Sequence, residues 1–245
     1  MADEQQKQRR GDACQAVVFD MDGLMIDSEP LWHVAEQECF AAVGVELSHA
    51  DMLETTGLRI DEVVEHNFSK YPWDETNAEG QDGGDRSRAG VTQAIVDRMC
   101  VLLEERGATI KKPGLDAAIV FFQSKQVPLA VASSSPMVLI RAGLRGLGLL
   151  DNGTFKVIVS AEVEKYGKPN PGVYLSAASA LGVDPKRCLA LEDSLNGTLA
   201  ARSASMKCIS IPEDYENRSL AYHIANIQLQ SLEHVCEEVW AEIWS

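Results

Sequence analysis

The sequence predicts an α/β fold, a doubly wound parallel sheet with an inserted helical cap domain, and three observations predict it. The run Ala16-Val17-Val18-Phe19 is continuous, uncharged and rich in β-branched residues, as in a strand buried on both faces. Beyond Pro113, short apolar runs of this kind alternate with helical stripes, the pattern of right-handed β-α-β crossovers. Between these stretches, residues 28–107 carry helical periodicity without strand signals. The expected organisation is a core of 13–27 and 108–245, a cap of 28–107 and a disordered tail of 1–12.

The first strand stops at Asp20, and Gly23 allows a turn with positive φ. Asp27-Ser28 followed by Glu29-Pro30 reads as the N-cap and first turn of a helix. Leu31, Val34, Ala35, Cys39 and Ala42 form its apolar stripe, which Gly44 closes. Helical pattern resumes through Val63, Val64 and Phe68 and breaks over 73–90, where the Gly-rich 77–85 reads as a loop. It returns over 91–106, with Ile95, Met99, Leu102 and Leu103 on one face. In the second half, helices are expected over 115–123, 137–147, 173–181 and 195–204, and strands over 128–132, 155–159, 188–191 and 208–211.

Of the 245 residues, 45% are hydrophobic and 24% charged, the proportions of an ordinary globular protein. A net charge of −15 with no basic stripe excludes a nucleic-acid binder that works by releasing phosphate counterions. An anionic substrate would need local cations or a metal, because the global field repels it. No apolar stretch approaches the roughly 20 residues of a spanning helix, and the N-terminal MADEQQKQRRGD lacks the apolar core of a signal peptide. Six scattered cysteines without a C-x-x-C unit indicate free thiols in a reducing compartment, so the expected location is the cytoplasm. The five histidines show no metal-ligand spacing.

In open α/β sheets, ligands bind outside the carboxyl ends of the strands. Reading onward from each expected strand gives Asp20 and Asp22, then Ser133-Ser134-Ser135, then Lys168, then Glu192-Asp193. Singly, each has a plain reading: aspartates turn and cap, a serine run starts a helix, a lone lysine is solvated. Together they are acids, a hydroxyl with neighbouring backbone N–H groups and one cation, the inventory for holding Mg²⁺ and a phosphoryl group. Two acids one residue apart also call for a cation between them, since a buried unpaired carboxylate is costly.

These motifs resemble the haloacid dehalogenase superfamily of phosphotransferases: Asp20-Met21-Asp22-Gly23, Ser133, Lys168 and Glu192-Asp193 stand in the family's order, across about 16–212. The helical insertion resembles the β-phosphoglucomutase-like branch. Within it, DMDGLMIDSEPLW, TTGLRIDEVV, VASSSP, KPNPGVYL and ALEDSLNGT look most like the bacterial 2-deoxyglucose-6-phosphate and hexitol phosphate phosphatases. The resemblance implies a HAD-like Rossmannoid core and a Mg²⁺-dependent phosphomonoester hydrolase that acts on a small sugar or polyol phosphate through an aspartyl-phosphate. It implies Asp20 as nucleophile and metal ligand, and Asp22 as general acid and then base, with its backbone carbonyl on the metal. Asp193 would add a carboxylate ligand, with Glu192 either a direct ligand or a support behind it. Ser133 and the Ser134 N–H would bind a phosphoryl oxygen, and Lys168 would neutralise charge and hold Asp20. Arg59, in the Gly57-Leu58-Arg59 position of the branch's specificity loop, would contact phosphate or sugar hydroxyls, or else stand idle in solvent. Ser135 reads as the start of a helix, and Asp27 and Ser28 as cap and hinge residues. The partner implied is a small phosphorylated metabolite, with no nucleic acid and no membrane, and cap-inserted members of the branch commonly work as monomers.

Two other readings stay open at this point. A sugar phosphomutase shares all four motifs and differs in what discharges Asp20, while a noncatalytic phosphometabolite-binding protein would have no need of both Asp20 and Asp22. Asn170 stands where many relatives carry an acid after Lys-Pro, Ser205 where glycine is usual, and the loop around 81–85 looks long for the branch.

Overall fold

A computed structural model describes residues 14–55, 59–76 and 84–245. The expected tail at 1–12, Gly57 and Leu58 of the expected specificity loop, and 77–83 of the Gly-rich loop lie outside the described residues. The chain divides into two compact units, the described part of Met1–Asp27 with Gly107–Ser245, and Ser28–Arg106.

The first unit is built on β1 (Ala16–Phe19), followed after the second unit by α5 (Leu115–Ser124), β2 (Leu129–Ser133), α6 (Met137–Gly146) and β3 (Phe155–Ser160). Then come α7 (Gly172–Leu181), β4 (Cys188–Glu192), α8 (Leu195–Ser203), β5 (Lys207–Ser210), β6 (Ile227–Gln228) and α9 (Glu237–Ile243). The six strands form one parallel sheet in the order β3-β2-β1-β4-β5-β6. β6 and α9 have no counterpart in the sequence-based reading. The fifth strand begins and ends one residue earlier than expected.

Strand alternation explains why both sheet faces are covered. Ala16 and Val18 join Ala130, Ala132 and Ala190 on one face against Tyr174, Ala177, Ala178, Ala200 and Ala201 of α7 and α8. The small side chains on both sides of that layer let helices sit close to the sheet. Phe19 points the other way and meets the Phe122 ring of α5 edge to face at 5.8 Å. With β1 central, Val17↔Leu129 and Phe19↔Val131 on one side and Phe19↔Leu191 on the other set a register that ends β1, β2 and β4 at nearly the same level. That shared edge, at the strand where the order reverses, is where an open α/β sheet binds ligands.

The second unit contains α1 (Glu29–Ala42), α2 (His49–Thr55), α3 (Ile60–Lys70) and α4 (Arg88–Arg106). Phe40, Phe68 and Trp73 form its aromatic centre, with edge-to-face contacts at 5.9 and 4.7 Å. Ser28 occupies the N-cap position of α1, as expected, but its side chain makes no capping hydrogen bond. Among the described residues, no helix is long and apolar enough to cross a membrane.

Candidate active site

Asp20 continues the β1 ladder for one more step, its N–H donating to Leu191 O at 3.0 Å, and its side chain is 8% exposed. The chain then turns back sharply, with Gly23 N–H on Ile26 O at 2.8 Å. Gly23 has φ +87°, and a Cβ there would lie 2.1 Å from Asp193 Oδ2. Only glycine fits this turn, for both conformational and steric reasons.

Lys168 Nζ donates to Asp20 Oδ1, to Glu192 Oε1 at 2.6 Å and to Ala132 O at 3.2 Å. Its side chain is 6% exposed. Burial works against the ammonium, but the Asp20 and Glu192 carboxylates outweigh it and hold the Lys168 pKa above the ordinary lysine value. The Tyr174 ring lies 5.1 Å from Nζ, and the Tyr174 hydroxyl donates to Glu192 Oε1 at 2.6 Å. Glu192 Oε2 accepts from the N–H and hydroxyl of Ser194, at 3.2 and 3.0 Å. All four acceptor positions of Glu192 are therefore filled by the protein.

Asp193 differs from its neighbour. Its Oδ1 is buried without a hydrogen-bond partner, while Tyr222 OH donates to its backbone carbonyl at 2.9 Å. Burial first, and then the Glu192 charge, push the Asp193 pKa up to about 7. Burial likewise raises Asp20 well above the carboxylate range, Lys168 opposing and Glu192 and Asp193 adding to the rise. Carboxylate oxygens of Asp20, Glu192 and Asp193 lie within 4.8 Å of one another. At an effective dielectric of about 20, each such pair of charges repels by about 3 kcal/mol or more, and one lysine cannot offset three. The orphaned Asp193 oxygen, the space left by the missing Gly23 side chain and the all-oxygen donor set fit a hard divalent cation such as Mg²⁺.

At the end of β2, Ser133 is 1% exposed and its Oγ accepts the Ser135 N–H at 3.0 Å. The Ser133 and Ser135 hydroxyls reach Asp22 Oδ2 at 3.4 and 2.7 Å, and Ser134 is exposed between them. Direct hydrogen bonds thus join Asp20, Lys168 and Glu192, and separately Asp22 and Ser133; Lys168 also reaches the Ala132 carbonyl next to Ser133, and Asp193 brings a carboxylate oxygen within 4.8 Å of those of Asp20 and Glu192. Arg59 belongs to the other unit, where it is exposed and its guanidinium donates to Asp61 at 3.2 and 3.3 Å. Sequence reading missed Tyr174, which looks like a core aromatic of a helix, and set aside the Ser135 hydroxyl.

Residues 14–205 match the haloacid dehalogenase-like hydrolase family. The chain belongs to that family. Hexitol phosphatase B of Escherichia coli (strain K12) is 38% identical over 218 residues, covering 89% of this chain and 92% of that protein. A CbbY variant from Rhodobacter sphaeroides, solved with xylulose-(1,5)bisphosphate, is 28% identical with a TM-score of 0.73, over 90% of this chain and 96% of that one. β-Phosphoglucomutase from Clostridium difficile, at 22% identity and a TM-score of 0.71 over 94% of this chain and 97% of that one, shares the fold.

Proposed function

We propose that this hydrolase is a Mg²⁺-dependent phosphatase for a small sugar or polyol phosphate, working through an aspartyl-phosphate on Asp20. The observation that carries the reading is the buried Asp20 carboxylate, held by Lys168 at the end of the central strand and two residues from a second carboxylate, Asp22, that two serine hydroxyls address. Hexitol phosphatase B and the sugar-bisphosphate complex of CbbY support the substrate class.

An Asp20 oxygen bonds to phosphorus as the bond from phosphorus to the sugar oxygen breaks. Asp22 gives its proton to that departing oxygen, and the sugar leaves as the alcohol. The Asp22 carboxylate then takes a proton from water, whose oxygen attacks phosphorus; inorganic phosphate departs and the Asp20 carboxylate is restored. Lys168 lowers the cost of ionising Asp20 and aims it, while Ser133 Oγ and the Ser134 N–H hold a phosphoryl oxygen. Asp20 and Asp193 through carboxylate oxygens, and Asp22 through its backbone carbonyl, would hold Mg²⁺, which supplies charge neutralisation for the phosphoryl oxygens when bound. The filled acceptors of Glu192 support a place behind these ligands, fixing Lys168. We place the enzyme in the cytoplasm, acting as a monomer on a free metabolite.

The test is phosphate release from hexitol and hexose phosphates, with Mg²⁺ and with EDTA, wild type beside Asp20→Asn. Metal-dependent release that the variant loses is expected. Release by Asp20→Asn would overturn the nucleophile assignment, and conversion of isomers without phosphate release, given a sugar bisphosphate, would make the protein a mutase.

A further inference from the structure

The Ser135 hydroxyl has a use that helix initiation does not explain. The N-cap position of α6 falls to Pro136, with no capping side chain of its own, and the Met137 N–H is instead taken by Glu162 Oε2 at 2.8 Å. With that donor satisfied from the far side of the loop, the Ser135 hydroxyl turns the other way and donates to Asp22 Oδ2 at 2.7 Å. The rest of Ser135 is pinned as well. Its N–H donates to Ser133 Oγ at 3.0 Å, and its carbonyl accepts from the hydroxyl of Ser160, 2% exposed, at 2.6 Å. Ser160 pairs in register with Ser133, so the ends of β2 and β3 hold the serine from two sides.

We propose that Ser135 is a positioning residue for Asp22, fixing the carboxyl so that its proton faces the leaving oxygen. This rests on the reading of Asp22 as general acid. The Ser135 bond holds Oδ2, and with it the plane and orientation of the whole carboxyl. Ser133, at 3.4 Å, addresses the same oxygen but more weakly, leaving its hydroxyl for the phosphoryl group. Correct aim matters because a proton donor acts only within hydrogen-bond reach of the atom it protonates.

The test compares kcat/KM on a hexitol phosphate, whose alkoxide must be protonated to leave, with kcat/KM on p-nitrophenyl phosphate, whose phenolate leaves unaided. This constant covers only the steps up to leaving-group departure, and the ratio of the two values does not depend on the fraction of folded enzyme. Asp22→Asn should lower the ratio by about 100-fold or more, the range for a lost general acid. Ser135→Ala should lower it by about 10-fold, the worth of one hydrogen bond to a carboxylate, with kcat/KM on the aryl ester nearly unchanged. Ser135→Thr keeps the hydroxyl and should keep the wild-type ratio. An unchanged ratio in Asp22→Asn overturns the acid assignment and the role of Ser135 with it. A lowered ratio in Asp22→Asn beside an unchanged one in Ser135→Ala overturns the positioning role alone. A ratio in Ser135→Thr as low as in Asp22→Asn overturns it too, even should the alanine variant fail to fold.

Discussion

Glu36 offers a sharp test of burial energetics away from the catalytic cluster. It lies on α1 at 7% exposure, in a helix whose other buried residues are Leu31, Ala35 and Phe40. Burial raises its carboxyl from the model-peptide value of 4.5 to about 7. The folded-state pKa is the higher one, so between these values the folded chain binds more protons than the unfolded chain, and stability falls as pH rises. The contribution is fully present below pH 4.5 and is lost as pH passes through 7. A separation of about 2.5 pK units corresponds to about 3 kcal/mol, the cost of keeping the ionised carboxylate buried at pH 8. Glu36→Gln has nearly the same shape and no charge, so it should match the wild type near pH 4.5 and exceed it by about 3 kcal/mol at pH 8. For a chain of this length unfolding as a whole, that is on the order of 10 °C in Tm. Thermal melts of both proteins across this pH range are the assay. A Tm gap that does not widen with pH, or a glutamine variant less stable than wild type at pH 8, would refute the reasoning.

Two further substitutions probe the acid cluster. Gly23→Ala puts a Cβ 2.1 Å from Asp193 Oδ2 at φ +87°, so Asp193 must be displaced; titration calorimetry should show Mg²⁺ binding weakened by about 10-fold or more, the scale of a displaced ligand, with the circular dichroism spectrum retained. Wild-type affinity in that variant would remove Asp193 from the metal-binding set. Tyr174→Phe keeps the ring beside Lys168 and deletes the 2.6 Å hydrogen bond to Glu192, so urea unfolding should show a loss of about 1–3 kcal/mol. No loss would mean that Glu192 does not depend on the phenol.

The sequence was legible where a run of residues shares one environment. β1, β2 and β4 are buried along their whole length, so their apolar runs carry the sheet and their last residues mark its ligand edge. β6 was not legible because two half-buried residues make no pattern, and α2 because seven residues show barely two turns. At the site, residue type indicated chemistry but not direction. Glu192 and Asp193 are adjacent carboxylates at and just past a strand end, with oxygens within 4.8 Å of each other. One meets Lys168, Tyr174 and Ser194, the other keeps an orphaned oxygen, and nothing in the letters distinguishes them. The direction of the Ser135 hydroxyl was not legible for a similar reason, since a serine before a proline and a helical stripe signals a helix start, and only the structure shows Glu162 accepting the Met137 N–H while the Ser135 hydroxyl reaches Asp22.

A chain of net charge −15 that gathers Asp20, Asp22, Glu192 and Asp193 at one edge is an unexpected binder of an anion. The conflict is resolved locally, because charges beyond about 8 Å are largely screened at physiological ionic strength and the phosphate responds to groups within hydrogen-bond reach. Within that radius the carboxyls of Asp20, Glu192 and Asp193 crowd around Lys168, and burial with their mutual repulsion raises Asp20 and Asp193 above the ordinary carboxylate range. On the proposed function a divalent cation relieves that repulsion, and the hydroxyl and N–H donors of the Ser133 loop then face the phosphoryl group without opposition from the acids behind them. Cation binding is therefore expected to precede substrate.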